Sequence, residues 1–265
     1  MNCVEDFLIE DGVLVEYRGE DTEVVIPPEV KSIGSLAFWS QPRVERVVMG
    51  DGVTAIQPHA FAECRYLEEI VLSPAVTTIG DHAFYNCRSL TGITIPAAVT
   101  AIGDSAFEEC YSLTTIAVDE DNPCYSSRDG HLYNKEQTTL IRYAIGRSDT
   151  TFTVPDTVTA LADAAFAHAY PLEQITLPEG IQNIPDFAFF ACTRLPEITL
   201  PNSVFHIGRF AFFHCDRLER IVLPKNMVEL GEDAFGLCKN LSFFIEEGGL
   251  GAWCAECCGI PVNYL

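Results

Sequence analysis

Residues 83–105 read AFYNCRSLTGITIPAAVTAIGDS, and Ala106-Phe107 then begin the same phrase again. Ala-Phe pairs stand at 37–38, 60–61, 83–84, 106–107, 165–166, 188–189, 211–212 and 234–235, so the phenylalanine spacings are 23, 23, 23, 59, 23, 23 and 23. Three residues after the Phe comes Cys64, Cys87, Cys110, Cys192, Cys215 or Cys238, with Gln41 and Ala169 in the first and fifth copies. Three further on stands an aliphatic residue: Val44, Leu67, Leu90, Leu113, Leu172, Leu195, Leu218 or Leu241. Short β-branched runs follow, such as Ile93-Thr94-Ile95 and Ile198-Thr199-Leu200, and five runs lead directly into Pro96, Pro155, Pro178, Pro201 and Pro224. The consensus is A-F-x-x-C-x-x-L-x-x-I-x-L-P-x-x-V-x-x-I-G-x-x. A fixed period of this length is the mark of a stacked repeat.

Each part of the unit has a physical role. The I-x-L run alternates with period two, which places two side chains inward and one outward. Proline cannot extend a ladder and turns the chain away. The acidic residue after the glycine (Asp81, Asp104, Asp186, Glu232) suits the start of a short helix. One coil cannot bury its own faces, but a stack shares a continuous core. The pattern therefore predicts an α/β repeat: a solenoid of about ten 23-residue coils, each a short strand plus a short helix.

The 59-residue gap exceeds two repeats by 13, and residues 119–149 fill it. The stretches 130–134 and 140–143, joined by 135–139, predict strand, turn and strand. Residues 11–17 open the chain with a shorter version. The expected organisation is one domain over 1–265: an N-terminal hairpin cap at 1–27, a first array at 28–118, the insert at 119–149, a second array at 150–246, and a C-terminal cap at 247–265 with a helix near 250–258.

This repeat resembles that of the BspA-type leucine-rich repeat proteins, over residues 23–246. The resemblance implies a binding scaffold, often on bacterial surfaces, that engages host or bacterial macromolecules.

Composition narrows the partners. Sixteen Lys and Arg against 38 Asp and Glu give a net charge of −22, which argues against nucleic acid and anionic lipid. The longest uncharged run, Ser89–Gly103, holds fifteen residues, short of the roughly 20 that span a bilayer, so no membrane insertion is expected. The first twenty residues carry six carboxylates and a single cation, Arg18, unlike an export signal. Eleven cysteines, an odd number, fit a reducing interior. The chain as written reads as cytoplasmic, with a cell-surface or secreted location as the alternative that the resemblance carries.

No motif for phosphate binding, acyl transfer or zinc proteolysis occurs, so no catalytic residue, cofactor or metal site is expected. The repeat cysteines read as buried apolar residues. Cys254, Cys257 and Cys258 alone have metal or redox spacing, and a metal or redox protein built on them is one alternative function. A passive spacer is another. His59 and His82 should stack on adjacent coils. The outward strand column (Val48, Val71, Thr94, Ala117, Thr153, Thr176, Thr199, Val222) is small and uncharged. The expected function is therefore non-catalytic recognition of a protein or glycan, with Thr94, Thr153, Thr176 and Thr199 on the strand face. Tyr125, Tyr133, Arg142 and Tyr143, together with His131, are expected as aromatic and polar anchors on the central hairpin.

Overall fold

The structure is a computed structural model that describes residues 3–245 and 259–265. The chain divides into two compact units, residues 1–136 with 144–146 and residues 137–143 with 147–265. In the first unit, strands Glu23–Val25, Arg46–Val48, Glu69–Val71, Gly92–Ile95 and Thr115–Val118 form one parallel ladder. Its register is the repeat itself, with Val24 against Val47, Val47 against Ile70 and Ile93 against Ile116. A second side of each coil is a two-residue strand: Ser32–Ile33, Ala55–Ile56, Thr78–Ile79 and Ala101–Ile102. The hairpin Phe7–Glu10/Val13–Tyr17 starts that ladder, turning at Asp11 and Gly12 with φ of 48° and 79°.

The second unit repeats the plan. Thr151–Thr153 pairs with Gln174–Thr176, and Glu197–Thr199, Arg220–Val222, Ser242–Ile245 and Val262–Tyr264 follow as a four-stranded parallel sheet. Alternation along each strand sets the core. Ile93 and Ile95 are buried while Thr94 is exposed, and Ile198 and Leu200 are buried while Thr199 is exposed.

The third side of the coil differs from the expected helix. Among the described residues there is no α-helix, only a 3-10 turn at Val4–Asp6. The residue before each Ala-Phe and the second residue after each Phe are left-handed, for example His59 at φ 58° and Glu63 at φ 65°. The N–H groups of His59, Phe61 and Glu63 leave the coil and donate to the carbonyls of Asp81, Ala83 and Tyr85, at 2.9, 2.8 and 2.8 Å. Those of Ala60, Ala62 and Cys64 turn back three residues, to Gln57, His59 and Phe61. A helix would point every N–H along its own axis. Here alternate N–H groups bond between coils, and the chirality penalty at two residues per repeat is offset by that ladder.

Two side-chain columns lock the turns together. The core phenylalanines stack at 4.8 Å (Phe38 on Phe61), 5.4 Å (Phe61 on Phe84), 5.1 Å (Phe166 on Phe189) and 4.9 Å (Phe189 on Phe212). Tyr17 stacks on Phe38 at 5.1 Å and Tyr143 meets Phe166 at 5.6 Å, so a tyrosine begins the column in each unit. The repeat thiols donate to the carbonyl of the preceding coil's phenylalanine, Cys64 to Phe38 at 2.9 Å and Cys215 to Phe189 at 3.2 Å. Gln41 does the same with its amide, reaching the Tyr17 carbonyl at 2.8 Å.

The acidic residues after the glycines also act between coils rather than within a helix. Asp81 Oδ1 accepts the Asp104 N–H at 3.0 Å, and Asp186 Oδ1 accepts the Arg209 N–H at 2.7 Å. The following coil's glycine makes room for the carboxylate. A Cβ on Gly103 would lie 2.2 Å from Asp81 Oδ1 and 2.4 Å from the Asp81 backbone nitrogen.

Gly103→Ala is expected to destabilise the protein by about 1–3 kcal/mol, because the clash includes backbone that cannot step aside. Phe189→Ala should cost about 3–5 kcal/mol in urea unfolding, since the ring is fully buried between two others. An unchanged midpoint in either variant would contradict the packing.

Candidate functional site

The strand face carries the exposed threonines among the expected site residues. Its outward column runs Val25, Val48 and Val71 in one set of neighbours, Thr94 beside Ala117, Thr153 beside Thr176, and Thr199 beside Val222 and Phe244. Thr94, Thr153, Thr176 and Thr199 are all exposed. Val25 and Phe244 extend the column beyond the residues expected from sequence. Their signal was the 23-residue spacing from Val48 and the strand register after Val222.

The column floors a shallow groove in each unit. In the first unit Val71, Thr94 and Ala117 line a hollow of about 470 Å³, with Pro74 and Pro96 on one rim. In the second, Thr176, Thr199 and Val222 line one of about 410 Å³, with Pro201 and Pro224 on the rim and Leu265 at its end. Two places before the column, charge stands at Glu23, Arg46, Glu69, Glu197 and Arg220, and four of these residues pair across coils. Arg46 meets Glu69 at 3.0 Å and Arg220 meets Glu197 at 3.4 Å. Such exposed pairs contribute little stability, but they leave the floor between them uncharged. Arg220 also lies over the Phe244 ring, 4.4 Å from its centroid.

The central hairpin does not present the expected anchors. The two expected strands are present as His131–Asn134 and Thr139–Arg142, and a further strand that the sequence did not signal, Tyr125–Arg128, pairs with the first of them through a turn at Asp129-Gly130. The Gly130 carbonyl accepts the Ile116 N–H at 2.8 Å and Ser127 Oγ donates to the Ile116 carbonyl at 2.7 Å, which closes the first unit's ladder. The hairpin is thus a lid over the open end of that unit's core. His131, Leu132 and Tyr133, on its second strand, are buried. The Ala144 N–H donates to His131 Nδ1 at 3.0 Å, which puts the imidazole's lone pair on that nitrogen. Burial pushes the Tyr133 phenol up to about 12.

Tyr125 is half-buried, and its hydroxyl oxygen accepts the Ile102 N–H at 3.0 Å. In the second unit, Tyr143 is buried in the phenylalanine column, and burial pushes its phenol up to about 12. Arg142 is buried too and donates to the carbonyls of Ala164 at 2.5 Å and Ala167 at 3.4 Å. Tyr133, Arg142 and Tyr143 are therefore buried rather than displayed, and the strand-face threonines are the expected site residues that stand exposed.

An aromatic array on the turn side of the second unit escaped the sequence reading. Phe187 stacks on Phe210 at 5.2 Å, Phe190 on Phe213 at 5.6 Å, and His168 meets Phe190 edge-on at 5.3 Å. The signal was again two phenylalanine pairs 23 apart. In the first unit His59 and His82 stack as expected, at 4.9 Å. Cys64, Cys87, Cys110, Cys192 and Cys215 are buried. Burial raises the thiols of Cys64 and Cys192 to about 12 and those of Cys87 and Cys215 well above the ordinary value. Among the described residues no group of three or more His, Cys, Asp or Glu could hold a metal ion. None of the described helices is long and apolar enough to cross a membrane. Cys254, Cys257, Cys258 and the expected cap helix lie outside the described residues.

Stacked parallel coils with a strand ladder, a turn ladder and a phenylalanine column define a leucine-rich repeat β-solenoid. The sequence signature of the BspA type leucine rich repeat region matches residues 19–128 and 146–250 in six copies, and the chain belongs to that family. A leucine-rich repeat protein from Eubacterium ventriosum is 25% identical at a TM-score of 0.71, over 88% of this chain and 77% of that one. A leucine rich cell surface protein from Faecalibacterium prausnitzii is also 25% identical, at a TM-score of 0.57 over 94% of each chain. The pneumococcal vaccine antigen PcpA, 18% identical at a TM-score of 0.59 over 96% of this chain and 91% of that one, shares the fold. No curated protein sequence matches the chain.

The raised thiols give a pH signature. A thiol that ionises near 9 in the unfolded chain but higher in the folded one keeps more protons bound when folded. Its contribution is complete below pH 9 and is lost as pH rises from 9 towards 12. The urea midpoint is expected to fall steadily between about pH 9 and about pH 11. A flat profile there would show that the thiols are not buried.

Proposed function

We propose that the protein is a non-catalytic recognition scaffold that holds a protein or glycan partner on its strand face. One observation supports this most: a column of Thr, Val and Ala, exposed at Val71, Thr94, Thr153, Thr176 and Thr199, stays uncharged in a chain of net charge −22, while Arg46 with Glu69 and Arg220 with Glu197 pair across coils beside it. Repeat solenoids use such extended faces for binding, and the shallow grooves suit a surface partner better than an enclosed small molecule. The net charge directs the partner away from nucleic acid. The likeness to the cell surface protein of F. prausnitzii supports display outside the cell over a cytoplasmic location.

The test is capture from host and bacterial extracts and on a glycan array, comparing the native protein with Thr176→Arg/Thr199→Arg. Both side chains are exposed, so the variant should keep its urea midpoint. At least a tenfold loss of affinity is expected on placing two cations in the floor. A partner held equally by both proteins would move the site off the strand face.

A further inference from the structure

The groove of the first unit contains a gap that the fold does not demand. Gly92 stands in the row beside the outward column, in register with Glu69 on one side and Thr115 on the other. Every other strand of that ladder places a side chain in this row: Glu23, Arg46, Glu69 and Thr115. The φ of Gly92 is not left-handed, and a Cβ built on it would meet only the Thr115 carbonyl oxygen, at an ordinary 3.6 Å. A side chain would therefore fit, while glycine inside a strand costs stability. A strand glycine of this kind often marks the close approach of another backbone or a ligand. The hollow of about 470 Å³ opens directly over it, lined by Gly92 and Thr115 together with Val71, Thr94 and Ala117.

Charge at this groove has one sign. The charged residues that line it are Glu69 and Asp119, both exposed. Residues 89–127, which include the flooring strands Gly92–Ile95 and Thr115–Val118, hold six carboxylates and no Lys or Arg. Arg46 Nε donates to Glu69 Oε2 at 3.0 Å from the coil before. On the coil after, the register sets only Gly92 beside Glu69. A carboxylate accepts several donors at once, so a cation arriving over Gly92 finds that side of Glu69 open. The groove of the second unit differs, because Lys225 is among its lining residues.

We propose that the groove over Gly92 takes an extended segment of a partner protein that carries Lys or Arg, its backbone passing over the glycine and its cations meeting Glu69 and Asp119. This rests on the strand-face reading above and narrows the partner from a protein or glycan to a basic peptide segment. Charge complementarity makes the choice: a neutral glycan leaves both carboxylates without a counter-charge, and an acidic one is repelled. The exposed hydroxyls of Thr94 and Thr115 can donate to or accept from the segment's backbone.

Selection of random octapeptides displayed on phage against the full chain tests this, followed by fluorescence anisotropy with the enriched peptides. Those peptides are expected to carry Lys and Arg well above the library frequency and to bind more weakly as salt rises. Gly92→Gln fills the gap without a backbone clash, and Glu69→Gln removes the carboxylate. Each should weaken peptide binding at least tenfold while the urea midpoint stays at or above the native value for Gly92→Gln. Enrichment without a basic bias, no enrichment at all, or basic peptides held by Gly92→Gln as tightly as by the native chain would overturn the proposal. Peptides lost from Thr176→Arg/Thr199→Arg but held by Gly92→Gln would overturn it and leave the strand-face reading standing. Peptides indifferent to both variants would remove both.

Discussion

Alternate backbone N–H groups on the turn side donate to the next coil, and the rest of the architecture follows from that bond. A chain that sends every second N–H outward must reverse the sign of φ within each turn, which is why His59, Glu63 and their counterparts are left-handed. Alanine stands ahead of the phenylalanine in every copy and is buried there. Gly103 and Gly208 leave space that the carboxylates of Asp81 and Asp186 occupy. The 23-residue period returns each donor to its acceptor on the next coil.

Much of this was legible in the sequence. The Ala-Phe spacing gave the coil, the I-x-L alternation gave the inward residues, and Asp11-Gly12 marked the opening hairpin. The turn side was misread because A-F-x-x-C-x-x-L spaces its apolar residues as a helix would, and sequence periodicity carries no sign of where the N–H groups go. The inter-coil bonds outweigh that local preference. Tyr143 was taken for a surface aromatic although it stands 23 residues before Phe166, the spacing of the core column it joins. Tyr133 was misplaced for a different reason. Whether a hairpin projects or folds back as a lid depends on the open core beneath it, which is tertiary information.

The strand face and the hairpin divide the labour of a solenoid. The hairpin spends its aromatic residues on closing the first unit's core. The face, whose threonines and valines contribute little to that core, is left free to vary. The paired charges of Arg46 with Glu69 and Arg220 with Glu197 keep acidic residues from crowding it. Substitutions on that face should therefore leave the coil intact.

The thiol column has a consequence for where such a molecule can live. Each buried cysteine acts as a proton donor to a neighbouring carbonyl rather than as half of a crosslink. Small extracellular domains commonly depend on an oxidising medium to close their bridges. A coil held by S–H donors has no such dependence, and its thiols are shielded and protonated, so oxidants reach them slowly. The hydrogen bonds of the buried thiols thus require no oxidising medium to form.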